Sequence, residues 1–251
     1  MLVALLLAAG VTTTTGGLPA RTTAREAAVF ANRTAFTAPC TDFFSSAAAR
    51  LAAQATRSLA ALGWSTLGAV GPAFTEPAAL AAVSGVSAFY VQSHGDHYWD
   101  PVAHGRSSGV RADAGRCENA PKIVANEIAA ARAGAAPARL VVIASCHNGE
   151  ARSTLPDAFG IARHRSEPGE EGPSSFYVGY VGAAWQRQML RFEGAFWAAL
   201  LDGESAGSAF DRGLLSGFNP ARLDPQWWGA YDYRPVAPQQ IPPYRPGQRR
   251  G

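Results

Sequence analysis

Ala88-Phe89-Tyr90-Val91-Gln92-Ser93-His94-Gly95 and Leu140-Val141-Val142-Ile143-Ala144-Ser145-Cys146-His147-Asn148-Gly149 are the two stretches that decide how this chain reads. Each holds a short unbroken apolar run, the pattern of a strand buried on both faces. Each run stops at a chemically active side chain with a glycine beside it or close after it. If the two strands are neighbours in a parallel sheet, His94 and Cys146 emerge at the same edge, where open α/β folds place their sites. A thiol would then stand beside an imidazole that can take its proton.

Outward from these strands, the chain alternates strand and helix. Residues 27–31 read as a first strand. Residues 41–62 follow with helical spacing of Phe44, Leu51, Leu59 and Leu62, capped by Thr41 or Asp42 and stopped by Gly63. A second strand is expected over 64–70, a short helix over 76–83 and the His94 strand over 87–93. A polar insertion, 96–119, reads as a long loop above the site. A helix opened by Pro121 runs to about residue 133, and the Cys146 strand is expected over 139–145. Further on, 175–181 reads as a strand, 187–201 as a helix with a wide apolar face, and Ser205 as the cap of a last helix to about 215. This order predicts an α/β fold with a mostly parallel central sheet flanked by helices on both faces.

With 251 residues, 47% of them apolar, the chain can bury a full core as one α/β domain. A net charge of +3 is small for this length, Lys122 is the only lysine, and the arginines are scattered. Nucleic-acid binding therefore has no electrostatic footprint. Residues 2–11 have the length and character of a secretory h-region, with cleavage expected near Ala20, which points to a secreted or cell-envelope protein. They are too short to span a bilayer, and no later segment is long and apolar enough to be inserted. The domain reading is a signal peptide over 1–20, the α/β domain over 21–219 and a tail rich in proline and aromatics over 220–251 that packs back on the domain. Three cysteines in an exported chain allow one disulfide and one leftover thiol. Cys40 with Cys117 is the expected pair and Cys146 the free thiol, with three reduced cysteines as the alternative.

An apolar strand ending in His-Gly, followed about fifty residues later by an apolar strand ending in a small residue and Cys, resembles the caspase, gingipain, clostripain and legumain group of cysteine peptidases, including the bacterial CHAT-type domains. The resemblance covers about residues 25–215. It implies a caspase-like three-layer fold and hydrolysis of protein or peptide substrates without a cofactor. Cys146 would be the nucleophile and His94 the general acid and base. Gly95 and the Cys146 backbone N–H would be the oxyanion donors. Ala144-Ser145-Cys146-His147-Asn148-Gly149 departs from the Gln-Ala-Cys-x-Gly pattern of true caspases, so cleavage after aspartate is not carried over. His147 directly after the nucleophile is unexpected in the group, and could perturb the thiol or ligate a metal.

For the substrate pocket, Asp96, Asp100, Glu150 and Asp157 are near the motifs in sequence and could receive a basic side chain. Arg106, Arg111 and Arg152 could equally receive an acidic one. Two other readings of the whole chain stay open. One is a caspase-like scaffold without catalysis, acting as a binding or regulatory module. The other is a metal-dependent hydrolase using the His94-Asp96-His97 segment, although a zinc site needs three or four convergent ligands.

Overall fold

A computed structural model describes residues 25–32, 45–113, 120–170 and 174–235. Its centre is a six-stranded sheet of β1 (Glu26–Ala31), β2 (Ser65–Val70), β3 (Ala88–Gln92), β7 (Leu140–Ala144), β8 (Phe176–Val181) and β9 (Asp224–Gly229). The strands lie in the order β2-β1-β3-β7-β8-β9, all neighbours being parallel except β8 and β9. The apolar runs are unbroken because alternate side chains enter two different cores. Tyr90, Leu140, Val142, Phe176 and Val178 face one core with α1 (Ser45–Ala61) and α5 (Gln186–Leu201), through Leu51, Leu59, Phe192 and Phe196. Phe89, Val91, Val141, Ile143 and Tyr177 face the other with α2 (Glu76–Val83), α3 (Ala125–Ala131) and the single turn α4 (Leu155–Ala158). The sheet is thus the middle of three layers, as the alternation of strands and helices predicts.

Local chemistry sets the ends of these elements. Thr75 caps α2 by accepting the Ala78 N–H at 3.3 Å, and Ser205 caps α6 (Ala206–Leu214) by accepting from the Ser208 N–H. Before α3, the Glu127 carboxylate accepts the Val124 N–H at 2.8 Å.

Three expectations are corrected. The insertion after His94 is not a long loop. It folds into the antiparallel hairpin β4 (Gly95–Asp100) and β5 (Gly105–Arg111), joined by β6 (Lys122–Val124) into a second, three-stranded sheet. The residues after Pro121 therefore begin as a strand, and α3 starts only at Ala125. Periodicity could not announce this sheet, since its buried apolar residues are few, among them Tyr98, Val110 and Ile123. The segment after Pro220 is more than a tail packed on the domain. It supplies the sixth strand, and Tyr233 beyond it is buried. Pro225 weakens the strand signal there, yet proline is tolerated at a sheet edge, which is where β9 lies.

The expected leader, the helix caps Thr41 and Asp42, the Cys40–Cys117 pair and the last residues of the chain lie outside the described residues. Among the described residues, no helix is long and apolar enough to cross a membrane.

Candidate active site

β3 and β7 are hydrogen-bonded neighbours, with Gln92 opposite Ala144 as their last paired position. His94 and Cys146 each follow two residues later, so parallel register brings the imidazole and the thiol out at one edge of the sheet. Both line the same cavity of about 620 Å³, together with Gln92, Ser93 and residues 183–189 at the start of α5. Cys146 is a free thiol.

The chain before and after each side chain is held firmly. His94 O accepts the Arg111 N–H at 3.0 Å, and the Ser93 hydroxyl donates to Arg111 O, which ties the end of β3 to β5. After Cys146 the chain turns sharply, with His147 in the left-handed region at φ 61°. The His147 N–H donates to Gly182 O at 2.9 Å and the Gly149 N–H to Tyr180 O at 2.8 Å, anchoring this turn to the end of β8. Asn148 is fully buried; its side-chain amide donates to Gly109 O at 3.1 Å and to the Ser145 hydroxyl at 2.6 Å, while its backbone carbonyl accepts the Tyr177 hydroxyl at 2.8 Å.

Gly95 has a steric reason to be glycine. A Cβ at that position would overlap Asn148 Nδ2, Cys146 O and Ser145 Oγ, so the first residue of β4 lies directly against the cysteine turn.

At the sulfur, the Ala184 N–H donates to Sγ at 3.3 Å and Ala184 O lies 4.0 Å away. Burial pushes the Cys146 thiol above its ordinary pKa and the Asp96 carboxylate adds to this, while the Ala184 N–H and the cysteine's own N–H work the other way. The resting group is therefore a neutral thiol at neutral pH.

None of the four carboxylates expected near the substrate lines this cavity. Asp100 is buried and accepts the N–H groups of Val102 and Ala103, closing the tip of the β4–β5 hairpin. Asp157 pairs with Arg163 at 3.0 Å. Asp96 is exposed and accepts the His97 N–H. Glu150 receives three side chains: His147 Nδ1 at 2.7 Å, Arg152 Nε at 2.8 Å and His97 Nε2 at 3.1 Å. Burial would raise its pKa, but those hydrogen bonds and the Arg152 charge outweigh it and hold the carboxyl at about 2.

The basic candidates fare no differently. Arg106, Arg111 and Arg152 do not line the cavity either; Arg111 stacks on Tyr98 and donates to its hydroxyl. The cations that do line it are Arg187 and Arg222, the latter with its guanidinium 4.2 Å from the Trp185 ring centre. Sequence reasoning missed these residues because α5 and the segment before β9 are remote from both motifs in sequence. It also missed the part played by Asn148, for which the Asn-Gly pair after the nucleophile was the available signal of a tight turn.

The proposed metal segment is pulled apart by strand geometry. His94 lines the cavity, Asp96 faces solvent and His97 turns to Glu150 and Ser108. Among the described residues, no group of three or more His, Cys, Asp or Glu side chains is arranged to hold a metal ion.

No family model matches the chain, and no curated protein sequence matches it. Solved structures do. Protein GSU0716 from Geobacter sulfurreducens is 14% identical, the alignment covering 82% of this chain and 92% of that one, with a TM-score of 0.50. The initiator caspase Dronc from Drosophila is 7% identical over 85% of each chain, with a TM-score of 0.45. At such identity the first likeness is one of fold alone, and the second is too distant to add to it.

Proposed function

We propose that the chain is an exported cysteine endopeptidase of the caspase-like kind, with Cys146 as nucleophile and His94 as general acid and base. The observation that carries this reading is the register: His94 and Cys146 stand two residues beyond the last paired position of adjacent parallel strands and line one cavity. Because the resting thiol is neutral, its proton passes to His94 as sulfur attacks the scissile carbonyl. The tetrahedral oxyanion is met by the N–H groups of Gly95 and Cys146. Collapse expels the amine, which takes the proton from His94 and leaves a thioester on Cys146. Water, deprotonated by His94, then hydrolyses the thioester and frees the acid and the thiol. A protein or peptide segment is the expected substrate, and no cofactor enters any step.

One observation favours the rival reading of a non-catalytic binding module. The thiol has its pKa raised and is flanked by Ala184, as a merely packed cysteine would be. Two measurements separate the readings. A peptide-library cleavage profile is compared between the native protein and Cys146→Ala, and alkylation of Cys146 is compared between the native protein and His94→Ala. Cleavage lost in Cys146→Ala, with alkylation slowed in His94→Ala, supports the peptidase. No cleavage, with an alkylation rate indifferent to His94, supports the module.

A further inference from the structure

We propose that Glu150 is a positioning residue: by receiving His147 from the cysteine turn and His97 from the β4–β5 hairpin, it sets the separation of the Cys146 thiol and the His94 imidazole. This rests on the dyad reading above and extends it to residues that do not touch substrate.

The argument starts from how short the two arms are. His147 follows the nucleophile by one residue, and His97 follows the base by three. Their rings meet on opposite oxygens of one carboxylate, His147 Nδ1 on Oε1 at 2.7 Å and His97 Nε2 on Oε2 at 3.1 Å. The bridge therefore joins the chain just after the thiol, in the turn that follows β7, to the chain just after the imidazole, on β4 of the three-stranded sheet. It has further hydrogen-bond partners at both ends. His97 Nδ1 lies 3.1 Å from the Ser108 hydroxyl on β5, so the ring is held from both nitrogens. Glu150 is anchored further by Arg152 Nε at 2.8 Å. Asp96 adds a carboxylate on the same strand but spends it on the His97 N–H, 2.7 Å away.

The turn needs such a hold. A non-glycine residue in the left-handed region is strained, and persists only where its surroundings impose it. At His147, φ 61°, the imposed contacts are the backbone bond to Gly182 O and the side-chain bond to Glu150. Neither His97, His147 nor Glu150 lines the cavity. Their loss should therefore misplace the nucleophile without removing a substrate contact, and a displacement of about 1 Å can cost about a hundredfold in rate.

The test uses full-chain variants chosen to separate backbone from side chain. His147→Gly accepts the left-handed backbone but loses the donor. His147→Asn tolerates that backbone too, and carries an amide N–H about where Nδ1 stands. Glu150→Gln turns one acceptor oxygen into a donor facing an imidazole N–H. Turnover of a peptide identified by library screening and alkylation of Cys146 by iodoacetamide are both measured, with thermal melts to establish that each variant is folded.

The expected result is a fall in kcat of about ten- to a hundredfold in His147→Gly and Glu150→Gln, with KM changed less than about twofold. His147→Asn should stay within about threefold of native, and the Gly–Gln double variant should be no worse than either single. Equal activity in His147→Gly and native, equal loss in the Gly and Asn variants, or a loss carried by KM would each overturn the proposal. If the native protein cleaves nothing, the dyad reading falls. The alkylation rates then decide the bridge alone: a Gly variant that differs from both native and Asn sustains it, and three equal rates refute it.

Discussion

Replacing Glu193 by glutamine should remove that carboxyl's contribution to the pH dependence of stability between 4.5 and about 7. Glu193 lies on α5, fully buried, with its two oxygens accepting the Tyr90 hydroxyl at 2.9 Å and the Tyr180 hydroxyl at 2.8 Å. No cation is paired with it among the described residues. Burial drives the carboxyl up from 4.5 to about 7, against the opposing pull of the bonds from Tyr180, Tyr90 and Trp197. The folded-state pKa lies above the unfolded one, so the folded protein holds this proton more tightly. The resulting stability is complete below 4.5, declines as pH rises towards about 7, and stays lost above it. At about 1.4 kcal/mol for each pH unit, the loss amounts to about 3 kcal/mol. Glutamine cannot ionise, and every other titrating group is common to both proteins. With a urea slope of roughly 2 kcal/mol per molar, the midpoint difference between Glu193→Gln and native should grow by about 1.5 M from pH 4.5 to pH 8. Equilibrium unfolding at intervals across that range reads it directly. Parallel profiles for the two proteins would refute the reasoning, because they would mean that Glu193 ionises in the folded state as easily as in the unfolded one.

Three further outcomes follow from the site. Gly95→Ala forces a methyl group into Asn148, Cys146 O and Ser145; it should cost about 1–3 kcal/mol and change the alkylation rate of Cys146, read by thermal melts and by thiol labelling. Asn148→Ala removes the donor to Gly109 O and the Ser145 hydroxyl and should destabilise by about 1–3 kcal/mol, measured by urea unfolding. The Asp96 carboxylate adds to the rise of the Cys146 pKa, so Asp96→Asn should move the alkylation rate–pH profile of Cys146 to lower pH. An unmoved or upward-shifted profile would contradict the charge argument.

The sequence was most legible where a strand is buried on both faces. β3 and β7 carry apolar side chains into two cores at once, so their runs have no polar interruption, and the offset of His94 and Cys146 from those runs can be counted directly. The β4–β5 hairpin was illegible for the opposite reason. Its strands are mostly polar, and beside the few buried side chains Tyr98 and Val110 it is held by Gly95 lying against the cysteine turn, by Gly109 lying against β6 and by Asn148, with no continuous apolar stripe. In the sequence, Glu150 is one of four carboxylates near the motifs that could receive a basic side chain. Only the fold reveals that two histidines fifty residues apart both reach it. The cavity wall of Trp185, Arg187 and Arg222 comes from elements distant in sequence, where no local pattern marks a residue as facing a thiol.

Glycine packing gives the cysteine turn no slack. Gly149 and Gly179 lie so close that a Cβ on either would strike the other's backbone, and Gly95 closes the opposite side. Added length between Cys146 and Gly149 would thus have nowhere to go. The far end of the same hairpin is the reverse case: residues 101–104 stand in solvent, with Val102 78% exposed. A short epitope or fluorophore-bearing loop spliced at that tip would ride on β4 and report from the outside on the strand that begins beside the imidazole.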